Sequence, residues 1–118
     1  MRSSRLETLD RRRAPELAFV VDVTSFTPSG FVGRTSYLGK AVDVAFDAEG
    51  KGVTLGTAMA ARLGVRKGDM VVLTVEGDGQ TTARLKVASL GRRVGISDPS
   101  VYHDVGSAGG AVVRVRKA

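Results

Sequence analysis

Apolar and polar positions alternate along this chain in blocks, and one block is written twice. Val53 and Leu55 alternate with small or polar neighbours. Met59 and Leu63 follow at helical spacing, and Val71, Leu73 and Val75 alternate again. This predicts a strand, a short helix closed by Gly64, a tight corner at Gly68-Asp69 and a second strand. The order then recurs: Val94 and Ile96 match Val53 and Leu55, and Val101 and Val105 match Met59 and Leu63. Gly106 matches Gly64, Gly110 matches Gly68, and Val113 and Val115 match Val71 and Leu73. From Val53 to Val94 is forty-one positions and from Leu63 to Val105 forty-two, so one copy carries a single extra residue.

The flanking segments alternate as well. Leu17 to Val23 places Phe19, Val21 and Val23 on one face and Ala18, Val20 and Asp22 on the other; Ala41 to Phe46 places Val42, Val44 and Phe46 inward and Asp43 outward. Leu85 and Val87 form an inward face opposite Arg84 and Lys86. Between these lies TSFTPSGFVGRTSYLGK, rich in hydroxyls, where Gly33 and Gly39 bracket either an accessory strand or a loop over a barrel mouth. Helix-end signals agree with the doubling: Thr57 is a candidate N-cap, and Asp98 is another with Pro99 in the first helical position. Two short helices of this kind are marginal alone and must dock on the strands.

The pattern therefore predicts an all-β fold: a small six-stranded barrel with two short helices and a pseudo-twofold internal repeat, the copies spanning about 40–76 and 80–117. Residues 15–118 read as one domain and residues 1–14 as a basic arm outside it. A chain of 118 residues suffices for one core. With 42% hydrophobic residues, no Trp and 5% aromatics, that core must be mostly Val, Leu and Ala. No cysteine and one histidine leave no disulfide framework and no histidine-rich metal site. No apolar run reaches the eighteen residues that would span a bilayer, and no signal-like segment follows the basic start, so the expectation is a cytoplasmic protein with no membrane partner.

The sequence MAARLGVRKGDMVVLTVEG resembles the recurring motif of double-psi, or cradle-loop, β-barrels: a short helix ending in Leu-Gly-Val, a Gly-Asp corner and an outgoing strand. More narrowly, it resembles the N-terminal barrel of the archaeal and eukaryotic AAA ATPases that remodel marked proteins, and AVVRVRKA is similar to that barrel's last strand. The resemblance covers about 40–118 and implies a noncatalytic module that binds a protein partner or a small ligand. No G-x-x-x-x-G-K-S/T phosphate loop occurs. The second corner, Gly110-Ala111, lacks the acidic residue of the first, and Gly106-Ser107 follows a helix rather than the strand end at which aspartate decarboxylase, a barrel of the same shape, cleaves itself.

Charge supplies the candidate chemistry. The formal net charge is +6, and the tail MRSSRLETLDRRR holds five arginines against Glu7 and Asp10. Arg11, Arg12 and Arg13, with Arg62, Arg66 and Lys67 at the end of the first helix, form a candidate nucleic-acid-binding set. The simpler reading of the same residues is a solvated coat, and Arg62, Arg66 and Lys67 also suit the negative helix end. Arg34, Thr35, Ser36, Tyr37 and Lys40, joined by Arg92 or Arg93 from the second copy, combine cationic donors, hydroxyls and glycine-permitted backbone. They form the candidate pocket for an anion. Outward Val72 and Val112 are read as positions open to an oligomer or adaptor surface. His103 with Asp104 or Asp98, and Asp22 with Asp43 and Asp47, are the only acid–base or divalent-ion candidates, and neither is supported by spacing. No cofactor is expected. A noncatalytic binding module is the leading reading, followed by nucleic-acid binding through the arm and rim, then by a small enzyme acting on a phosphorylated or carboxylated metabolite.

Overall fold

Period-two alternation puts every second side chain on one face of a strand, and here those faces close on one another. The computed structural model describes residues 15–27, 30–46, 52–98, 105 and 110–118. The elements are β1 (Glu16–Thr27), β2 (Gly30–Tyr37), β3 (Lys40–Phe46), β4 (Gly52–Gly56), α1 (Thr57–Leu63), β5 (Met70–Glu76), β6 (Gln80–Gly91), β7 (Val94–Ser97) and β8 (Ala111–Lys117). The strands form a closed barrel in the order β1-β2-β3-β7-β4-β6-β5-β8. Its interior is the alternating set: Phe19 and Val21, Val53 and Leu55, Val71, Leu73 and Val75, Val87, Val94 and Ile96, Val113 and Val115, all buried.

The doubled pattern is visible in the pairing. β3 runs parallel to β7 with Val44 beside Val94, and β6 runs parallel to β4 with Val87 beside Val53. Between these two parallel pairs, β4 and β7 are antiparallel, and β5 and β8 are antiparallel on the other side. An exact twofold would carry the β5–β6 contact onto a contact between β8 and β3. Instead, β1 pairs with β8 and β2 pairs with β3. The N-terminal hairpin is thus inserted in the seam that the repeat would close, and the barrel has eight strands rather than the expected six.

The stretch expected as an accessory strand or loop is β2, a full wall strand. Its buried positions are Phe31, Gly33 and Thr35, an alternation masked in the sequence because two of the three inward residues are not hydrophobic.

The helix Thr57–Leu63 buries Met59 and Leu63, as the spacing predicted, together with Ala60. Its N-cap is Gly56, with no side-chain cap, and Thr57 is already helical, one position later than expected. Gly64 takes the left-handed conformation at φ 72°, where a β carbon would be strained. Its N–H donates to the Ala61 carbonyl at 3.2 Å, and that of Val65 to Ala60 at 3.0 Å. The expected second helix lies outside the described residues except for Val105, which is 1% exposed, as its match to Leu63 requires.

The two corners also correspond. Gly68 and Gly110 both have left-handed φ, 98° and 102°. At the first, the Asp69 carboxylate accepts the Arg66 backbone N–H at 3.0 Å, holding the turn from within. That corner docks on β6, where the Gly68 N–H donates to Val87 O and the Val87 N–H donates to Asp69 O, both at 2.8 Å. The second corner abuts β1 at Val21 instead.

Candidate functional site

Strand alternation decides where each residue of the predicted anion pocket goes. Along β2, Arg34 and Ser36 are exposed, Thr35 is buried and Tyr37 is half-buried. The β2–β3 connection, Leu38-Gly39, has positive φ at both residues, 53° and 76°, the geometry of a type I′ hairpin turn. Leucine is a costly residue there, and Leu38 is also 67% exposed. Lys40 starts β3 beside this turn, across from Tyr37. Arg92 and Arg93 form the short β6–β7 connection.

These side chains are divided between clefts. A cleft of about 470 Å³ is lined by Tyr37, Leu38 and Lys40 from the β2–β3 end, by Gly56 to Met59 at the start of α1, and by Gly91 and Arg92. Among its described lining residues there is no carboxylate. A second cleft, of about 290 Å³ on the outer wall, brings Arg34 and Arg93 together with Asp43. Adjacent in sequence, Arg92 and Arg93 therefore serve different clefts. Neither has an ion-pair partner among the described residues.

Arg34 is in a different electrostatic position. It lies between Asp22 on β1 and Asp43 on β3 in the cross-strand register, and its Nε is 3.4 Å from the Asp43 carboxylate with both side chains about 70% exposed. An ion pair so wet contributes about 0–1 kcal/mol, but it gives the cation a local counter-charge. The same arrangement answers the divalent-ion idea: Asp22 and Asp43 are kept apart by β2, with Arg34 between them. Asp47, His103 and Asp104 lie outside the described residues. Among the described residues, no group of three His, Cys, Asp or Glu side chains is placed to hold a metal.

A third cleft, of about 610 Å³, was not legible in the sequence. It lies between β1 and β2, lined by Ala18, Phe19, Val20 and Asp22 on one side and Arg34 to Tyr37 on the other. Its cause is a break in the ladder: β1 and β2 pair from Asp22↔Arg34 to Thr27↔Gly30, while among the described residues Glu16 to Val21 pair with β8 alone. Tyr37 and Ala41 belong to both this cleft and the one at Lys40 and Arg92. The Tyr37 hydroxyl is shut off from solvent and has no hydrogen-bond partner among the described residues.

Of the candidate nucleic-acid set, Arg62, Arg66 and Lys67 are exposed at the helix end and the corner, and Arg11, Arg12 and Arg13 lie outside the described residues. A cationic feature that the candidate set omitted is on the wall itself. Cross-strand register aligns Glu16, Arg116, Val72 and Arg84 in one outward row, with Lys86 in the next. Val72, read as an open contact position, is only 8% exposed within this row. Val112, its companion, is half-buried. The signal was present in the alternation of RLKV and VVRVRK, each placing its cations on one face.

No helix among the described residues is long and apolar enough to cross a membrane. No family model, curated protein or solved structure matches the chain.

Proposed function

We propose that this chain is a double-psi-type barrel acting as a noncatalytic binding module, and that its ligand is anionic and sits between the β2–β3 turn, the start of α1 and the β6–β7 connection. The double-psi reading is supported by the paired parallel contacts, β3 with β7 and β4 with β6, arranged about an antiparallel centre. The observation that carries the ligand reading is the convergence of Lys40 and Arg92 on one cleft from distant parts of the chain, with no described carboxylate lining it. Two cations so placed repel one another when the site is empty, and an anion between them relieves that repulsion while accepting charge-assisted hydrogen bonds. Leu38 adds an exposed apolar rim held in a strained backbone, a combination characteristic of binding sites.

Titration of the labelled protein with inorganic phosphate at constant ionic strength tests this reading. Saturable amide shifts at Lys40, Thr57, Gly91 and Arg92 are expected. Shifts that never saturate, or that follow ionic strength alone, would overturn it.

Nucleic-acid binding is the second reading, favoured by the outward cations Arg84 and Lys86 on β6 and Arg116 on β8, which flank β5. Affinity for duplex DNA or RNA that falls steeply between low and moderate salt is its signature. Affinity no greater than that of an unrelated basic protein dismisses it.

A further inference from the structure

The split between β1 and β2 is a gap in an otherwise continuous wall, with a strand edge left unpaired on each side among the described residues. Had the β1–β2 ladder continued past Asp22↔Arg34 in register, Thr35, Ser36 and Tyr37 would face Val21, Val20 and Phe19; they do not pair. Every second residue of Glu16–Val21 therefore directs its N–H and C=O away from β8 into the split, and β2 does the same over Thr35–Tyr37. Backbone groups at such an edge are a template for another strand.

We infer that the split receives an extended peptide from a partner protein, which adds as a strand antiparallel to the first half of β1 and ends in a carboxylate at Lys40 and Arg92. The inference rests on the anion reading of that cleft and names its ligand. Direction follows from topology. A strand antiparallel to β1 runs the same way as β2, so its C-terminal end arrives beside Tyr37, where this cleft shares a wall with the one lined by Lys40 and Arg92. Glu16, the carboxylate at that end of β1, is directed to the β8 side by its 3.8 Å pairing with Arg114.

Side-chain preference follows from the walls. One face of the peptide meets Phe19 and Tyr37, and the other meets Ala18, Val20 and Ser36. Small apolar residues fit both, and exposed Leu38 supplies contact near the carboxylate. The volume of about 610 Å³ falls in the range of sites for compact ligands, about 300–1,000 Å³. At about 3.3 Å per residue, the open part of β1 accommodates roughly five.

The probe is an N-acetylated hexapeptide of alternating alanine and valine with a free C-terminal carboxylate, titrated into the labelled full chain beside inorganic phosphate. Saturable shifts are expected along 16–21 and 35–37 as well as at Lys40 and Arg92. Capping the C-terminus as an amide should weaken binding about tenfold, the loss of one charge-assisted contact. N-methylation of alternate peptide amides should reduce affinity at least about tenfold in the phase that faces β1, and less in the other. Equal binding by unmodified and both methylated peptides, or peptide shifts confined to Lys40, Gly56 to Ala58 and Arg92, would overturn strand addition while leaving the anion reading standing. No saturable response to either phosphate or peptide would overturn both. Phosphate silence with equal binding of acid and amide peptides would overturn the anion reading and the carboxylate's part in this one.

Discussion

A β carbon placed on Gly110 would overlap the carbonyl oxygen of Val21, so the second corner of the repeat can turn only where it does because nothing stands between it and β1. Gly68, its counterpart, has the same left-handed φ but open space around its α carbon. The two positions separate conformational strain from collision. Gly68→Ala should cost about 1–2 kcal/mol, the penalty of a left-handed L-residue. Gly110→Ala should cost clearly more, because backbone on β1 must also move. Chemical denaturation of the two variants side by side measures the difference, and equal losses would mean that the corner and β1 separate easily.

Leu63 is 2% exposed and lies on the buried face of α1. The helix has seven residues, too few to be stable without docking. Leu63→Ala should therefore destabilise the barrel by about 2–5 kcal/mol and weaken hydrogen-exchange protection over 57–65 first. A loss under about 1 kcal/mol would show that the helix is not a plug.

How far the sequence could be read depended on whether the inward residues were hydrophobic. Where they were, as at Val53, Leu55, Val71, Leu73, Val94, Ile96, Val113 and Val115, both the strands and their repetition were legible. β2 escaped because its inward positions include Gly33 and Thr35, which carry no apolar signal. Its entry into the wall, and hence the strand count, depends on pairing with β1 and β3, a non-local relation that periodicity does not encode. The site was legible in part for the same reason. Residue chemistry gathered Arg34, Tyr37, Lys40, Arg92 and Arg93 as candidates, but alternation and register separated Arg92 from Arg93 and set Arg34 between two carboxylates. The β1–β2 split left no trace at all, since a ladder that stops pairing keeps the same alternating side chains.

The buried Tyr37 hydroxyl, without a partner among the described residues, is a local debit in the free protein. Leaving such a group unsatisfied costs about 1–3 kcal/mol, so Tyr37→Phe should be neutral or stabilising, by up to about 1–2 kcal/mol. A loss of stability larger than about 1 kcal/mol in thermal unfolding would mean that the hydroxyl is hydrogen-bonded in solution.

Leu38 offers a parallel test on the other side of the same cleft. Its φ of 53° is the only positive value at a described residue other than glycine, and type I′ turns favour asparagine or glycine there. Leu38→Asn should stabilise by about 1 kcal/mol, and replacement of the exposed leucine should weaken any ligand that uses the apolar rim. Stabilisation with unchanged phosphate and peptide binding would assign Leu38 no part in recognition.

Arg92 and Arg93 provide the sharpest test of the site, because they are neighbours in sequence with the same charge and both exposed. Either substitution lowers the net charge equally, so any effect of overall basicity is the same for both. Only Arg92 lines the cleft with Tyr37, Leu38 and Lys40; Arg93 lines the outer-wall cleft with Arg34 and Asp43. Arg92→Ala should therefore weaken phosphate binding by about tenfold, the loss of one charged hydrogen bond, and Lys40→Ala should do the same. Arg93→Ala should leave phosphate affinity within about twofold of the parent and reduce nucleic-acid binding, if any is found, no less than Arg92→Ala does. Neither arginine holds an ion pair among the described residues, so the folded state should tolerate both changes and denaturation midpoints should be unaltered. Equal losses of phosphate affinity in the two variants would mean that the protein attracts anions through its general charge, and the cleft at Lys40 and Arg92 would then have no claim as a site.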